Sequence, residues 1–299
     1  MDSAAPHPRA VPRRIRASLN FLAHANVVLA LSQAAATWIV QAVAGLPHDP
    51  VPPLAAFLAF YGIYSLDRAA DAHADQRTHP ERAGFSARNA AFLWGSALLA
   101  SAGAVAVAAT RGLTSAMAAL LPLAALLLYS FPVVPAPLAR RLGVRRVKEV
   151  LVLKNVHVAA TLAATATLLA CADTSVAAGP VTAVGLFLFG RWWINTLFFD
   201  LRDEDGDRAN GVRTVPVVLG RARTLRLLHA GNVLFAAAVV SASALGLAPP
   251  GFALLAASSA YAWAYLRAMA RGGDPHFLCD VVADAELLVL AALLWLASV

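Results

Sequence analysis

Apolar residues in this chain do not alternate, nor do they keep to one narrow helical stripe. They run on for about the length of a bilayer crossing and are then interrupted by short polar stretches. The runs predict nine helices, over residues 19–44, 51–66, 89–110, 113–131, 149–171, 178–199, 224–246, 250–270 and 279–298. A crossing helix takes about 20 residues, so the second is short. The first run is too long for a signal-peptide core and no cleavage site follows it. Residues 1–18, rich in Pro and Arg, predict a flexible basic lead-in, with a single transmembrane domain over 19–299. The fold class is all-α, a polytopic membrane protein.

Composition sharpens this. Apolar residues make up 60% and charged residues 14% of the 299, against roughly 25% charged in a soluble domain. There is too little polar surface to cover a globule. The net charge of +7 does not indicate nucleic acid, because the basic residues are dispersed between membrane-length runs. Cys171 and Cys279 lie far apart, without metal or redox spacing. With the N-terminus inside, 21 of the 24 Lys and Arg fall in cytoplasmic segments; Arg111 falls outside, and Lys154 and Arg191 within helices. That asymmetry predicts a cytoplasmic N-terminus.

Acidic residues gather at two places on this basic side. After the second run come Asp67, Asp71 and Asp75; after the sixth come Asp200, Asp203 and Asp207. Spacings of three and four put each set on one helical face. Like charges there repel unless a cation relieves them, and oxygen-only carboxylate ligands suit Mg²⁺, which readily joins carboxylates to substrate phosphates. Two such faces opposed would hold a diphosphate through bridging Mg²⁺. They recur four spans apart, hinting at a parallel internal repeat with the site between its halves.

At these residues the chain resembles the UbiA superfamily of intramembrane prenyltransferases. The second motif is close: Asp203-x-x-x-Asp207, then Gly211, Thr214, Val215, Pro216 and Leu219-Gly220. In the first, Asp71 and Asp75 match, Asp67 takes a position usually Asn, and Arg68 follows where Asp is common. Phe199 stands where Asn is often found. The resemblance implies a helical bundle around a central cavity open to lipid. The head of a polyprenyl diphosphate would sit on Mg²⁺ at the two Asp motifs, and its tail in the membrane. Asp71, Asp75, Asp203 and Asp207 would be the catalytic core, with Asp67 and Asp200 as further metal ligands.

Other polar residues sit within the spans. Lys148 and Lys154, by analogy with the family, would clamp the diphosphate with Arg68; the alternative is snorkelling to the interface. Arg191 lies deep enough to need a partner, one turn from Asn195. It either pairs with Glu286 or helps Asn195 bind substrate. Asn26, Gln33, Thr37 and Gln41 share a face that could line the cavity, and Asn26 is the substrate-binding candidate among them. Asp280 and Asp284 repeat the four-residue spacing outside any family motif. His24 and His157 are read as packing residues.

The expected function is Mg²⁺-dependent prenyl transfer from an isoprenoid diphosphate to a lipophilic or aromatic acceptor. The enzyme would lie in a bacterial inner membrane with its site facing the cytoplasm. An intramembrane terpene cyclase would use the same head site. A cation transporter would need acidic groups through the midplane, where Glu286 stands opposed by Arg191. Alcohol phosphotransferases are excluded, because their Asp-Gly-x-x-Ala-Arg run is missing.

Overall fold

A computed structural model describes residues 12–70, 80–130, 137, 150–175 and 177–298. Among these there are helices and no strand. In chain order they are α1 (Arg13–His24), α2 (Val27–Ala44), α3 (Val51–Ala70), α4 (Pro80–Arg88), α5 (Ala90–Ala109), α6 (Leu113–Ser130), α7 (Leu153–Cys171), α8 (Ala178–Ala209), α9 (Val215–Leu219), α10 (Arg221–Ala244), α11 (Ala257–Ala270) and α12 (Glu286–Ser298). Five of these, α2, α5, α7, α8 and α10, are long and apolar enough to cross a membrane, and α6 is a further apolar helix. Their outer faces carry large apolar side chains in the open: Leu99 and Leu113 are each 76% exposed and Leu234 70%. A water-facing surface does not display such a band, and a lipid-facing one requires it.

Five of the predicted runs depart from the sequence expectation. The first run is two helices, because Asn26 takes the left-handed conformation (φ 60°) between α1 and α2. Asn tolerates that conformation better than most residues. The break is held from α3: the Asn26 side-chain amide donates to Ser65 Oγ at 3.1 Å, and Arg68 Nη1 donates to the carbonyls of Ala23 and His24. Those carbonyls belong to the last two residues of α1, where helical partners run out, and the Ala23 carbonyl also accepts from Asn26 N at 3.0 Å.

The second and sixth runs continue further than their apolar residues do. Helix α3 carries on to Ala70 and α8 to Ala209, for 32 residues. At ~1.5 Å per residue α8 is roughly 48 Å long, well over the ~30 Å hydrocarbon thickness. Its end is a turn in which Gly211 adopts φ 70° and Val212 N donates to the Asp207 carbonyl at 2.8 Å. Pro216 sits in the first turn of α9, and Gly220, at φ 80°, joins α9 to α10. The Gly, Pro and Gly of the second motif thus fold the chain back on itself after the acidic face. The last two runs begin in other helical forms, a 3₁₀ turn over Phe252–Ala256 and a π-helical turn over Leu278–Ala283.

Small residues bring α3 and α5 together: Ala55, Ala56, Ala59 and Gly62 face Ala97, Ala104 and Ala108. The main core gathers Ile39, Phe60, Leu162, Phe187, Leu188 and Leu290 from five helices. At the end of the molecule away from α4, Arg111 pairs with Asp49 and Ser115 Oγ donates to Asp173 at 3.0 Å.

Candidate active site

A cavity of about 430 Å³ opens between α2, α3, α6, α7, α8 and the segment Asp280–Leu287. One end is charged, lined by Asp67, Arg68, Arg82, Lys154, Asp200, Arg202, Asp203, Asp280 and Asp284. The rest is mostly apolar or aromatic, with Leu29, Phe60, Ile63, Leu126, Leu162, Trp192 and Leu287 in the wall. Its shape suits an amphiphile, with an ionic head and a hydrocarbon body.

Helix α8 contributes one unbroken stripe. Trp192, Asn195, Thr196, Phe199, Asp200 and Asp203 all line the cavity, and their steps of three and one keep one face inward. Because the helix does not stop at the first charge, its acidic end is built on the same rod as its aromatic wall.

The acids are held by cations from neighbouring turns. Lys154 Nζ lies 2.8 Å from Asp200 Oδ1 and 3.7 Å from Asp207 Oδ2, while the Asn155 amide donates to Asp200 Oδ2 at 3.1 Å. Arg202 grips Asp203 with both Nε (2.8 Å) and Nη2 (2.9 Å) and reaches Asp280 with Nη1. A planar guanidinium matches a carboxylate, or a phosphate, in this two-pronged way. Lys154 is a point charge on a buried stem, 15% exposed. Its ammonium faces the cavity, between Asp200 and Asp207.

The predicted residues divide as follows. Asp67, Arg68, Lys154, Asn195, Asp200 and Asp203 line the cavity, and Asp207 stands one turn beyond Asp203 beside Lys154. Asp71, Asp75 and Lys148 lie outside the described residues. Two expectations need correcting. Asn26 is 2% exposed and is spent on the α1–α2 break, bonded to Ser65 rather than turned to a substrate. Arg191 is fully buried behind the wall, and its Nε lies 2.7 Å from Glu286 Oε1. Its other nitrogens donate to Glu286 Oε2 (3.0 Å), Asn232 (2.7 Å), Asn195 (3.3 Å) and Tyr265 (3.3 Å). With so many acceptors already taken up, the Glu286 pairing is the alternative the structure adopts. Asn195 belongs to both worlds: its side chain lines the cavity, and its amide oxygen accepts from Tyr265 at 2.6 Å.

Sequence reasoning left aside Arg82, Arg202, Asp280 and Asp284, all of which the fold brings to the charged end. Only the Asp280–Asp284 spacing signalled this beforehand. The π-helical turn that contains Asp280 is an element often found at functional sites.

Among the described residues no three acidic, His or Cys side chains converge as a metal cage. The donor chemistry nevertheless fits Mg²⁺: carboxylates and no thiolate or imidazole at the charged end, arranged beside cations that can contact phosphate. Asp67 on α3 and Asp200, Asp203 and Asp207 on α8 would be the ligands available from the described residues.

Comparison with known proteins decides the family. The model of the UbiA prenyltransferase family matches residues 21–277. The chain belongs to that family. No curated protein sequence matches it. Among solved structures it resembles a UbiA homolog from Aeropyrum pernix K1, with TM-score 0.60, 16% identity, and 91% of this chain covering 98% of that one. A UbiA homolog from Archaeoglobus fulgidus bound to GPP and Mg²⁺ gives TM-score 0.60 and 16% identity over 92% of this chain and 98% of the other. A structure of digeranylgeranylglyceryl phosphate synthase gives TM-score 0.52 and 13% identity over 95% and 97%. At these identities the likeness is one of fold, and it extends over nearly the whole of this UbiA-family chain.

Proposed function

We propose that the protein is a Mg²⁺-dependent intramembrane prenyltransferase, moving a prenyl group from an isoprenoid diphosphate to a lipophilic or aromatic acceptor. The observation that carries this is a cavity with paired acids and cations at one end and a hydrocarbon-like wall at the other. The family membership supports it, as does the neighbouring fold with GPP and Mg²⁺ bound. On this reading the nine apolar runs cross the bilayer with the N-terminus inside, and the head site faces the cytoplasm of a bacterial inner membrane.

Each group has a role. Asp67, Asp200, Asp203 and Asp207, with Asp71 and Asp75, would hold the metal. Bound there, Mg²⁺ supplies Lewis-acid neutralisation of the charge growing on the leaving diphosphate. Lys154 and Arg202 turn from their carboxylate partners to the phosphate oxygens, while Arg68 and Arg82 add positive charge at the same end. The apolar wall holds the prenyl chain and limits the water that could capture the allylic cation developing at C1.

The test is diphosphate release by purified protein in lipid or detergent, with prenyl diphosphates of increasing length, with and without Mg²⁺. Asp203→Ala and Asp71→Ala should each lower release by at least ~10²-fold, the scale on which removing one electrostatic stabiliser acts. Mass spectrometry of the products separates transfer from cyclisation. A conjugate of prenyl mass plus acceptor is expected, and a cyclised hydrocarbon or alcohol would replace this reading with a terpene cyclase.

A further inference from the structure

We infer that His157 is the proton acceptor of the transfer step, so that the prenyl acceptor is a protic nucleophile, a hydroxyl or a phenol, seated beside Tyr129. This rests on the transferase reading above. His157 Nε2 lies 3.0 Å from the backbone carbonyl oxygen of Ala125 on α6. A carbonyl can only accept, so Nε2 carries the hydrogen and the neutral ring has its lone pair at Nδ1. Nδ1 has no hydrogen-bond partner among the described residues. The ring is fixed a second time by Tyr129, whose centroid is 5.8 Å away with the planes 17° apart. Both rings line the cavity.

Depth assigns the role. His157 follows Lys154 by one helical turn on α7, and both face the cavity. At ~1.5 Å per residue it stands about 4.5 Å further in than the group that grips the head. That is the level at which C1 of a chain anchored at Lys154 begins. The carboxylates of the cavity, Asp67, Asp200, Asp203, Asp280 and Asp284, belong to the charged end, together with the cations Lys154, Arg68, Arg82 and Arg202. Deeper in, the other polar lining is Ser32, Tyr64, Tyr129, Thr161, Asn195 and Thr196, hydroxyls and an amide that do not take up protons. Imidazole is the side chain suited to doing so near neutral pH.

The step balances as follows. The C1–O bond breaks and its electron pair leaves with the diphosphate. The acceptor's oxygen lone pair, or the π electrons of its ring, form the new bond to C1. The proton lost from that oxygen or ring carbon passes to Nδ1. The imidazolium then gives it to the departing diphosphate, restoring the neutral ring.

The experiment uses the full chain in lipid nanodiscs with geranyl diphosphate and Mg²⁺. An alkylphenol, a long-chain alcohol and a membrane lipid extract are supplied as acceptors. His157→Phe keeps the stack on Tyr129 and removes both nitrogens. It should bind geranyl diphosphate as the wild type does and lose about 100-fold in turnover, the usual worth of a general base. His157→Ala should regain part of its turnover when free imidazole is added, a response that a packing residue would not give. Unchanged turnover in His157→Phe would overturn the inference and leave the transferase standing. Joint loss of binding and turnover, with no imidazole rescue, would make His157 a packing residue. A wild type inert with every acceptor would instead overturn the transferase reading itself, and this inference with it.

Discussion

Lys154 and Asp200 set the energetics of the site at the scale of the residue. The pair is almost wholly out of solvent, at 15% and 6% side-chain exposure. Removing one member of a buried pair strands the other charge, at a cost of about 3–5 kcal/mol. Lys154→Met should therefore lower the unfolding midpoint in detergent, and Asp200→Asn added to it should recover much of the loss. Equal midpoints for the single and double variants would mean that the two charges do not balance each other. The same logic explains why a lysine occurs among apolar residues of α7. The sequence displayed this anomaly, since Lys154 and Arg191 were the basic residues that fell within the predicted helices. What it did not display was the partner, because Asp200 is 46 positions away and meets Lys154 only when α7 and α8 pack.

Helices end for reasons that an apolar profile does not contain, which is why the element scale held most of the surprises. Backbone hydrogen bonding carried α8 through seven charged residues to Ala209, and the profile stopped at the first of them. Conversely, the run over 19–44 looked continuous, yet one left-handed Asn divides it. The acidic face of α8 was legible because a spacing of three or four survives whichever way the chain ends. His157 was not, since only the Ala125 carbonyl and the Tyr129 ring tell it from a packing histidine. Helix α3 offers a test of how closely these rods must approach. A Cβ on Gly62 would lie 2.3 Å from Ser101 Oγ and 3.0 Å from the Ala97 carbonyl oxygen of α5. Gly62→Ala should cost about 1–3 kcal/mol, the usual range for overpacking. Ser101→Ala in the same chain should return part of it, because the hydroxyl is the nearest obstacle. Thermal unfolding of the three variants reads this directly.

Across the whole molecule, one buried polar cluster joins the later helices. Arg191 and Asn195 of α8, Asn232 of α10, Tyr265 of α11 and Glu286 of α12 form it, and Asn232 also donates to the Ser259 carbonyl at 2.7 Å. Buried behind the wall, each member depends on the others for its hydrogen bonds. Glu286→Gln or Arg191→Met alone should destabilise by about 3–5 kcal/mol, whereas the apolar double variant Arg191→Met/Glu286→Leu should lose less. A double variant as unstable as the sum of the singles would show that the two charges are not coupled. The sequence suggested the pair from matched depth, but the three neutral partners needed the packed bundle to be seen.

The uninterrupted stripe on α8 turns that helix into a ruler. Its zero is the acidic end, and its divisions are the helical turns, about 5.4 Å each. From Asp203 back to Trp192 is eleven residues, roughly 16 Å at the same rise. Any molecule anchored at the zero meets Phe199, Asn195 and Trp192 at successive marks. A rigid scale cannot slide to suit its object. Discrimination by length must then come from what stands at each mark, and a larger or smaller side chain there would redraw one division without moving the origin.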